Sequence, residues 1–186
     1  MNLGFIKEFI RSPRKIGAIA PSSRYLSKKM VNEIDFNSSK CIVEYGAGTG
    51  VFTKNIVLQK PENTLFLVFE ENKDFADNLK ENFKLKNSVV IINDGCENLD
   101  KYLNYYKINK VDYIISGLPF TSLPENLSKK ILNNTRMKLK DDGFFITFQY
   151  SLIKGKIFEQ YFNKITINRV LPNLPPAFVL KCSNFK

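Results

Sequence analysis

The chain has 186 residues, with 28 Lys plus Arg against 18 Asp plus Glu, so it carries a net charge of +10 with no histidine to add to it. That length suits one domain, or one domain with a small extension, and an apolar content of 44% beside 25% charged residues excludes disorder as the dominant state. The lack of histidine excludes Ser-His-Asp and Cys-His catalysis in their usual form and removes the commonest ligand of catalytic zinc, so no metal is expected.

In chain order, Leu3, Phe5, Ile6, Phe9 and Ile10 sit beside Lys7, Arg11, Arg14 and Lys15. This reads as a short amphipathic helix stopped near Pro13, and its charges are not those of a signal peptide. Ser22–Ile34 reads as a second helix, capped by Ser22 or Ser23. Residues 1–39 are thus expected to form an N-terminal helical extension or lid, ahead of a domain over 40–186.

Five short apolar runs follow: Cys41–Tyr45, Leu65–Glu70, Val89–Asn93, Val111–Ser116 and Phe144–Tyr150. Near-continuous Val, Ile and Phe runs of this length read as strands buried on both faces, as in a parallel sheet. Helical patterns fill the gaps at Val51–Leu58, Lys73–Leu85, Asp100–Tyr106 and Leu127–Leu139. In the second of these, Phe75, Leu79 and Phe83 make one apolar stripe. Strand and helix alternating in this way predict βαβ units and a doubly wound sheet. Lys164–Val170 then alternates strictly, and Ala177–Cys182 follows the prolines Pro172, Pro175 and Pro176. Two strands so close together leave no room for a crossover helix and must be antiparallel. The expected class is α/β: five parallel strands plus a terminal antiparallel pair, with helices on both faces. The three cysteines, Cys41, Cys96 and Cys182, form no Cys-x-x-Cys pair and are expected as reduced, buried thiols of a cytosolic protein. No run approaches the ~20 apolar residues of a membrane-spanning helix.

The strongest local signal is Glu44-Tyr45-Gly46-Ala47-Gly48-Thr49-Gly50, which follows a strand and opens a helix. Its glycines are spaced G-x-G-x-G and followed by Val51, unlike the G-x-G-x-x-G of dinucleotide sites. No Gly-Lys-Ser/Thr follows to make a phosphate loop. An acidic residue followed by G-x-G-x-G resembles motif I of class I S-adenosylmethionine-dependent methyltransferases. The resemblance implies S-adenosyl-L-methionine as cofactor, with Glu44, Gly46, Ala47, Gly48 and Gly50 around its methionine part. Glu70, at the end of the second strand, is placed to accept from ribose hydroxyls, with Glu71 as its competitor. Asp94 and Gly95 end the third strand. The resemblance makes Asp94 an acceptor for the adenine amino group; the alternative is a turn residue before Gly95.

Ser116-Gly117-Leu118-Pro119-Phe120 follows the fourth strand and is similar to motif IV of amino-methylating families. Members that methylate adenine read Asn/Asp-Pro-Pro-Tyr or Asn-Leu-Pro-Tyr there. Here Ser116 stands for the amide and Phe120 for the tyrosine, so backbone carbonyls are left to orient an amine, and Phe120 to bound its pocket through cation–π contact. Ser116 also counts among the cofactor contacts. A nearer resemblance is to the bacterial phospholipid N-methyltransferase group, itself related to the ribosomal RNA adenine dimethylases. It is carried by Ile16-Gly17-Ala18-Ile19-Ala20-Pro21-Ser22-Ser23, the glycine loop, Ser116–Phe120, Gln149-Tyr150 and Asn173-Leu174-Pro175-Pro176-Ala177. It implies phosphatidylethanolamine or a methylated derivative as substrate. The N-terminal amphipathic segment would then lie in an anionic membrane interface, placing the protein peripherally on the inner face of the membrane.

The expected reaction is an in-line displacement by a nitrogen lone pair. Without histidine the proton goes to water, a tyrosine or a carboxylate; by position Tyr25 and Tyr150 are the catalytic candidates beside Ser116 and Phe120. Arg14, Lys15 and Arg24 are candidates to hold a phosphate. Three alternatives remain open: an adenine N6-methyltransferase with ribosomal RNA as partner, a methyltransferase for a small amine, and a cofactor-binding regulatory module. The dimethylases carry an additional C-terminal helical domain, and this chain stops shortly after its last strand, which favours lipid over RNA.

Overall fold

The structure, a computed structural model, describes residues 21–150, 156–170 and 177–185. The segment carrying Lys7, Arg11, Arg14 and Lys15, and the Asn173-Leu174-Pro175-Pro176 run, lie outside the described residues.

The chain opens with α1 (Pro21–Val31), which carries Lys28 and Lys29 in its last turn, where cations suit the negative end of the helix dipole. The helix already includes Ser22 and Ser23, with Pro21 ahead of them. Then come β1 (Cys41–Tyr45), α2 (Val51–Val57), β2 (Leu65–Phe69), α3 (Lys73–Phe83) and β3 (Val89–Ile92). A 3-10 turn at Cys96–Asn98 leads into α4 (Leu99–Tyr105), followed by β4 (Val111–Ser116), α5 (Glu125–Lys138) and β5 (Leu139–Gln149). One helical turn, α6 (Lys156–Glu159), and the strands β6 (Lys164–Val170) and β7 (Ala177–Ser183) complete the fold.

The seven strands form one sheet in the order β3-β2-β1-β4-β5-β7-β6. Strands β1 to β5 are parallel, as expected, and β7 runs antiparallel to both β5 and β6. The reversed strand is therefore inserted between β5 and β6, an order the terminal pairing alone does not give.

The sheet divides two apolar layers. On one face Leu26, Met30 and Val31 of α1, Ile56 of α2 and Leu79 of α3 pack on Ile42, Phe66, Val68 and Ile115. On the other, Leu99 and Leu103 of α4, Ile131 and Leu132 of α5 and Phe158 of α6 pack on Val43, Tyr45, Phe69 and Ile114. With helices on both faces, all residues of β1 and β4 are buried. That is why these strands read as unbroken apolar runs. The three cysteines are free and buried, and burial pushes the Cys41 and Cys182 thiols up to about 12.

Strand β5 begins five residues earlier than its apolar run. Leu139 stands opposite Val111, the register then shifts, and Tyr113 stands opposite Phe144. The added segment is polar, Lys140-Asp141-Asp142-Gly143, and belongs to a bulged stretch that hydropathy does not mark. Lys140 pairs there with Asp112, whose Oδ2 accepts from the N–H groups of Lys40 (2.9 Å) and Cys41 (2.8 Å). Asp112 thus ties the amino ends of β1, β4 and β5 together.

Candidate functional site

The carboxyl ends of the parallel strands finish level. Tyr45 stands opposite both Phe69 and Ser116, Phe69 opposite Ile92, and Ser116 opposite Thr147. The residues that leave these strands therefore share one edge, and the strand order reverses between β1 and β4, where open α/β sheets form a binding crevice.

The glycine loop crosses this crevice. Gly46 (φ +68°), Gly48 (φ +55°) and Gly50 (φ +81°) all adopt the left-handed conformation that side chains disfavour. At Gly46 space is short as well: a Cβ there would lie 2.7 Å from Leu118 Cδ2. At Gly48 a Cβ would meet nothing within 4 Å, so this turn of the loop borders open space. The N–H groups of Gly46 and Ala47 donate to Phe69 O (2.9 and 3.2 Å), and Gly117 N–H donates to Tyr45 O (3.0 Å). The loops after β1 and β4 are thereby fixed to the ends of neighbouring strands.

The acidic residues differ in their partners. Glu44 is fully buried; its Oε2 accepts from Thr53 Oγ1 (2.8 Å), and its Oε1 has no hydrogen-bond partner among the described residues. Burial pushes its carboxyl up to about 8; the Thr53 hydroxyl opposes this and the Glu70 charge adds to it. Glu70 accepts from Gly48 N–H (2.7 Å) and Asn72 N–H (2.8 Å), so it bridges the glycine loop and the start of α3. Burial raises its carboxyl too, against the pull of these two bonds. Glu71 is exposed, and its carbonyl accepts from Asn93 Nδ2 (3.0 Å). Asp94 takes four donors: Tyr102 Oη (2.8 Å), Asn98 Nδ2 (2.9 Å), Gly95 N–H (2.8 Å) and Lys101 Nζ (3.4 Å). Its carboxyl is held below the usual range, chiefly by the Tyr102 hydroxyl. The Gly95 N–H bond is that of a turn residue, and the three side-chain donors tie the carboxylate to the 3-10 turn and α4.

The motif after β4 turns inward. The Ser116 side chain is fully buried, and its Oγ accepts from Leu118 N–H (3.2 Å). Phe120 is 3% exposed and packs edge-on against Phe145 (5.5–6.0 Å being the range for its two ring contacts) and Phe158. It borders a cleft of about 370 Å³, lined also by Leu123, Glu125, Ser128, Lys129, Ile157 and Gln160. Tyr25 is 38% exposed on α1, with Lys29 Nζ 5.7 Å from its ring centre. Tyr150 is half exposed beyond β5, its ring edge-on to Phe148 at 5.4 Å.

The structure therefore gathers Glu44, Gly46, Ala47, Gly48, Gly50, Glu70, Glu71, Asp94, Gly95 and Ser116 on one sheet edge. Tyr25 and Tyr150 sit on separate elements. Four supporting residues escaped the sequence reading. Asn72 caps α3 by accepting from Asp74 and Phe75 N–H (3.0 and 3.2 Å), and an Asn one residue before a helix is a legible signal. Thr53, Asn93 and Tyr102 find their partners only through the fold.

The family model for ribosomal RNA adenine dimethylase matches residues 22–152. The chain belongs to the ribosomal RNA adenine dimethylase family. This dimethylase-family chain is 29% identical over 184 residues to an ornithine lipid N-methyltransferase of Singulisphaera acidiphila, covering 98% of this chain and 95% of that one. It is also 29% identical over 156 residues to the ribosomal RNA small subunit methyltransferase A of Ureaplasma parvum serovar 3, but spans only 53% of that relative's length. Among solved structures it is similar to the N-methyltransferase NodS of Bradyrhizobium japonicum WM9, solved with S-adenosyl-L-homocysteine (TM-score 0.68, 12% identity, 89% of each chain). It is also similar to a SAM-dependent methyltransferase of Aquifex aeolicus (TM-score 0.67, 16% identity, 93% of this chain and 97% of that one). The fold is that of these methyltransferases. The dimethylase-family chain is an S-adenosylmethionine-dependent methyltransferase.

Proposed function

We propose that this methyltransferase acts on the amine of a membrane-lipid headgroup, of the phosphatidylethanolamine or ornithine-lipid class. The observation that carries this reading is the likeness to the Singulisphaera lipid N-methyltransferase, which runs along 95% of that relative. A ribosomal RNA acceptor is the second reading, favoured by the family match and the Ureaplasma relative. The loop after β4 supports the first. Ser116–Phe120 carries no side-chain amide to grip an adenine amine, and Ser116 Oγ is engaged by Leu118 N–H.

The residues on the sheet edge fit the cofactor. The open space at Gly48 leaves room along the loop, and the unpartnered Glu44 Oε1 has acceptor capacity that no described side chain uses. In this reading the loop Gly46–Gly50 holds the methionine part, with the buried Glu44 acting on it through its charge, Glu70 the ribose, and Asp94 with Gly95 the adenine. S-adenosylmethionine supplies a methyl group already activated on a sulfonium. The protein's work is then to orient and desolvate the amine. A primary ammonium in water keeps its proton until about pH 10, and an apolar surround lowers that value by disfavouring the charge. The cleft beside Phe120 sets the apolar walls Leu123 and Ile157 against Ser128, Gln160 and the Glu125–Lys129 ion pair, so it offers an amine polar partners as well as a partly apolar surround. The proton leaves to water, or to Tyr25 or Tyr150.

The test is methyl-labelled S-adenosylmethionine given to the protein with phosphatidylethanolamine vesicles, ornithine-lipid vesicles and ribosomal RNA in separate reactions. Label in lipid is expected. Label in RNA alone would overturn the acceptor and leave the fold and cofactor in place.

A further inference from the structure

Glu44 is a carboxyl sealed inside the protein with half of its acceptor capacity unused. It is 0% exposed, one oxygen takes the Thr53 hydroxyl, and the other has no described partner. Among the described residues no cation acts on it. From α2 it faces Thr53, and from the end of β2 the carboxylate of Glu70. Its neighbours across the sheet are Val68 and Ile115, which do not titrate. An isolated ion in such a place is costly, and a group so placed keeps its proton instead. Its position points to what would remove that proton. Glu44 lies two residues before Gly46 and is hydrogen-bonded to Thr53, in the helix that the glycine loop opens, and that loop borders open space at Gly48.

We propose that Glu44 is a charge sensor that lets the site tell the cofactor from its spent product: it is protonated in the empty protein and releases its proton when the cationic cofactor binds. The inference rests on the placement of S-adenosylmethionine on this sheet edge. The cofactor carries an ammonium, a carboxylate and a sulfonium, so it is a net cation, and its demethylated product is a zwitterion. After methyl transfer the sulfonium is a neutral thioether, and one of the two positive charges that stabilise an ionised Glu44 is gone. The acid then takes its proton back from solvent, and the product is held less tightly. The acid's range, up to about 8, puts this exchange near neutral pH.

Titration calorimetry of the wild-type protein with S-adenosylmethionine and with S-adenosylhomocysteine tests it, run at several pH values and in phosphate and Tris buffers. One proton released on binding means an affinity that rises about tenfold per pH unit below pH 8. That slope, and a buffer-dependent heat, are expected for S-adenosylmethionine and a clearly smaller slope for S-adenosylhomocysteine. Glu44→Gln should flatten the first slope and bring the two affinities together, whereas Glu70→Gln, which removes a charge that raises Glu44, should weaken binding and move the slope to lower pH without abolishing it. Equal slopes for both ligands, no slope at all, or a slope lost only in Glu70→Gln would overturn the proposal. If neither ligand binds the folded wild-type protein, the cofactor placement itself fails. The wild-type comparison of the two ligands stands even if Glu44→Gln does not fold.

Discussion

Glu44 and Asp94 belong to one sheet edge and lie on opposite sides of the usual carboxyl range. Burial with one hydroxyl donor sends Glu44 up to about 8, while Tyr102 and three further donors hold Asp94 low. The sign of the effect on stability follows for Glu44. Its value in the folded protein exceeds its unfolded value near 4.5, so the folded state binds the proton more tightly. The stability this contributes is complete below the unfolded value and is lost as pH rises through about 8. Thermal unfolding of the wild-type protein should therefore weaken from pH 5 to pH 9. In Glu44→Gln the profile should be flatter, with the variant the more stable of the two at the alkaline end by roughly a few kcal/mol. Parallel profiles in the two proteins would mean that Glu44 is ionised throughout.

At the scale of elements, the two ends of β4 have separate duties. Its amino end is tied down by Asp112, which receives the Lys40 and Cys41 N–H groups and pairs with Lys140. Asp112→Ala leaves the buried Cys41 N–H without a partner, a cost of about 1–3 kcal/mol. Denaturant unfolding should show that loss, while cofactor affinity stays unchanged, because the glycine loop is at the other end of β1. The carboxyl end leads to Phe120. The sequence suggested a ring that meets the acceptor, but the structure buries it among Phe145 and Phe158. Phe120→Ala should then cost about 3–5 kcal/mol of stability before any effect on turnover is read. A stable variant with reduced turnover would mean that its place on the cleft matters more than the packing. The difference between expectation and structure is one of direction: motif spacing places a residue on a loop, and the hydrogen bonds of that loop decide which way it faces. Here Phe120 N–H donates to Leu118 O (3.1 Å) and Leu123 N–H to Pro119 O (3.2 Å), closing the loop on itself.

For the whole molecule the relevant quantity is charge. A net +10 favours an anionic partner, nucleic acid or membrane surface, without choosing between them, and among the described residues no helix is long and apolar enough to cross a membrane. On the lipid reading, cosedimentation with phosphatidylglycerol-containing vesicles should weaken steeply as salt rises, because the screening length falls from about 10 Å at 0.1 M to about 3 Å at 1 M. Binding that ignores salt would assign the attraction to apolar insertion instead.

The strands and helices were legible because a parallel sheet covered on both faces needs unbroken apolar strands, and amphipathic helices need a stripe; both are local patterns. Glu44, the three glycines, Glu70 and Asp94 were legible as an ordered series, since each directly follows or closes an apolar run. The bulged start of β5 was not, because its residues are polar and are held by Asp112, 28 positions away from Lys140 in sequence. Nor was the insertion of β7 between β5 and β6, the inward turn of Ser116, or the bond from Thr53 to Glu44. Local composition determines which segments form strands and where the chain must turn. Only the packed fold decides which polar atoms meet a partner and which, like Glu44 Oε1, are left without one, because burial and hydrogen bonding are set by neighbours remote in the chain.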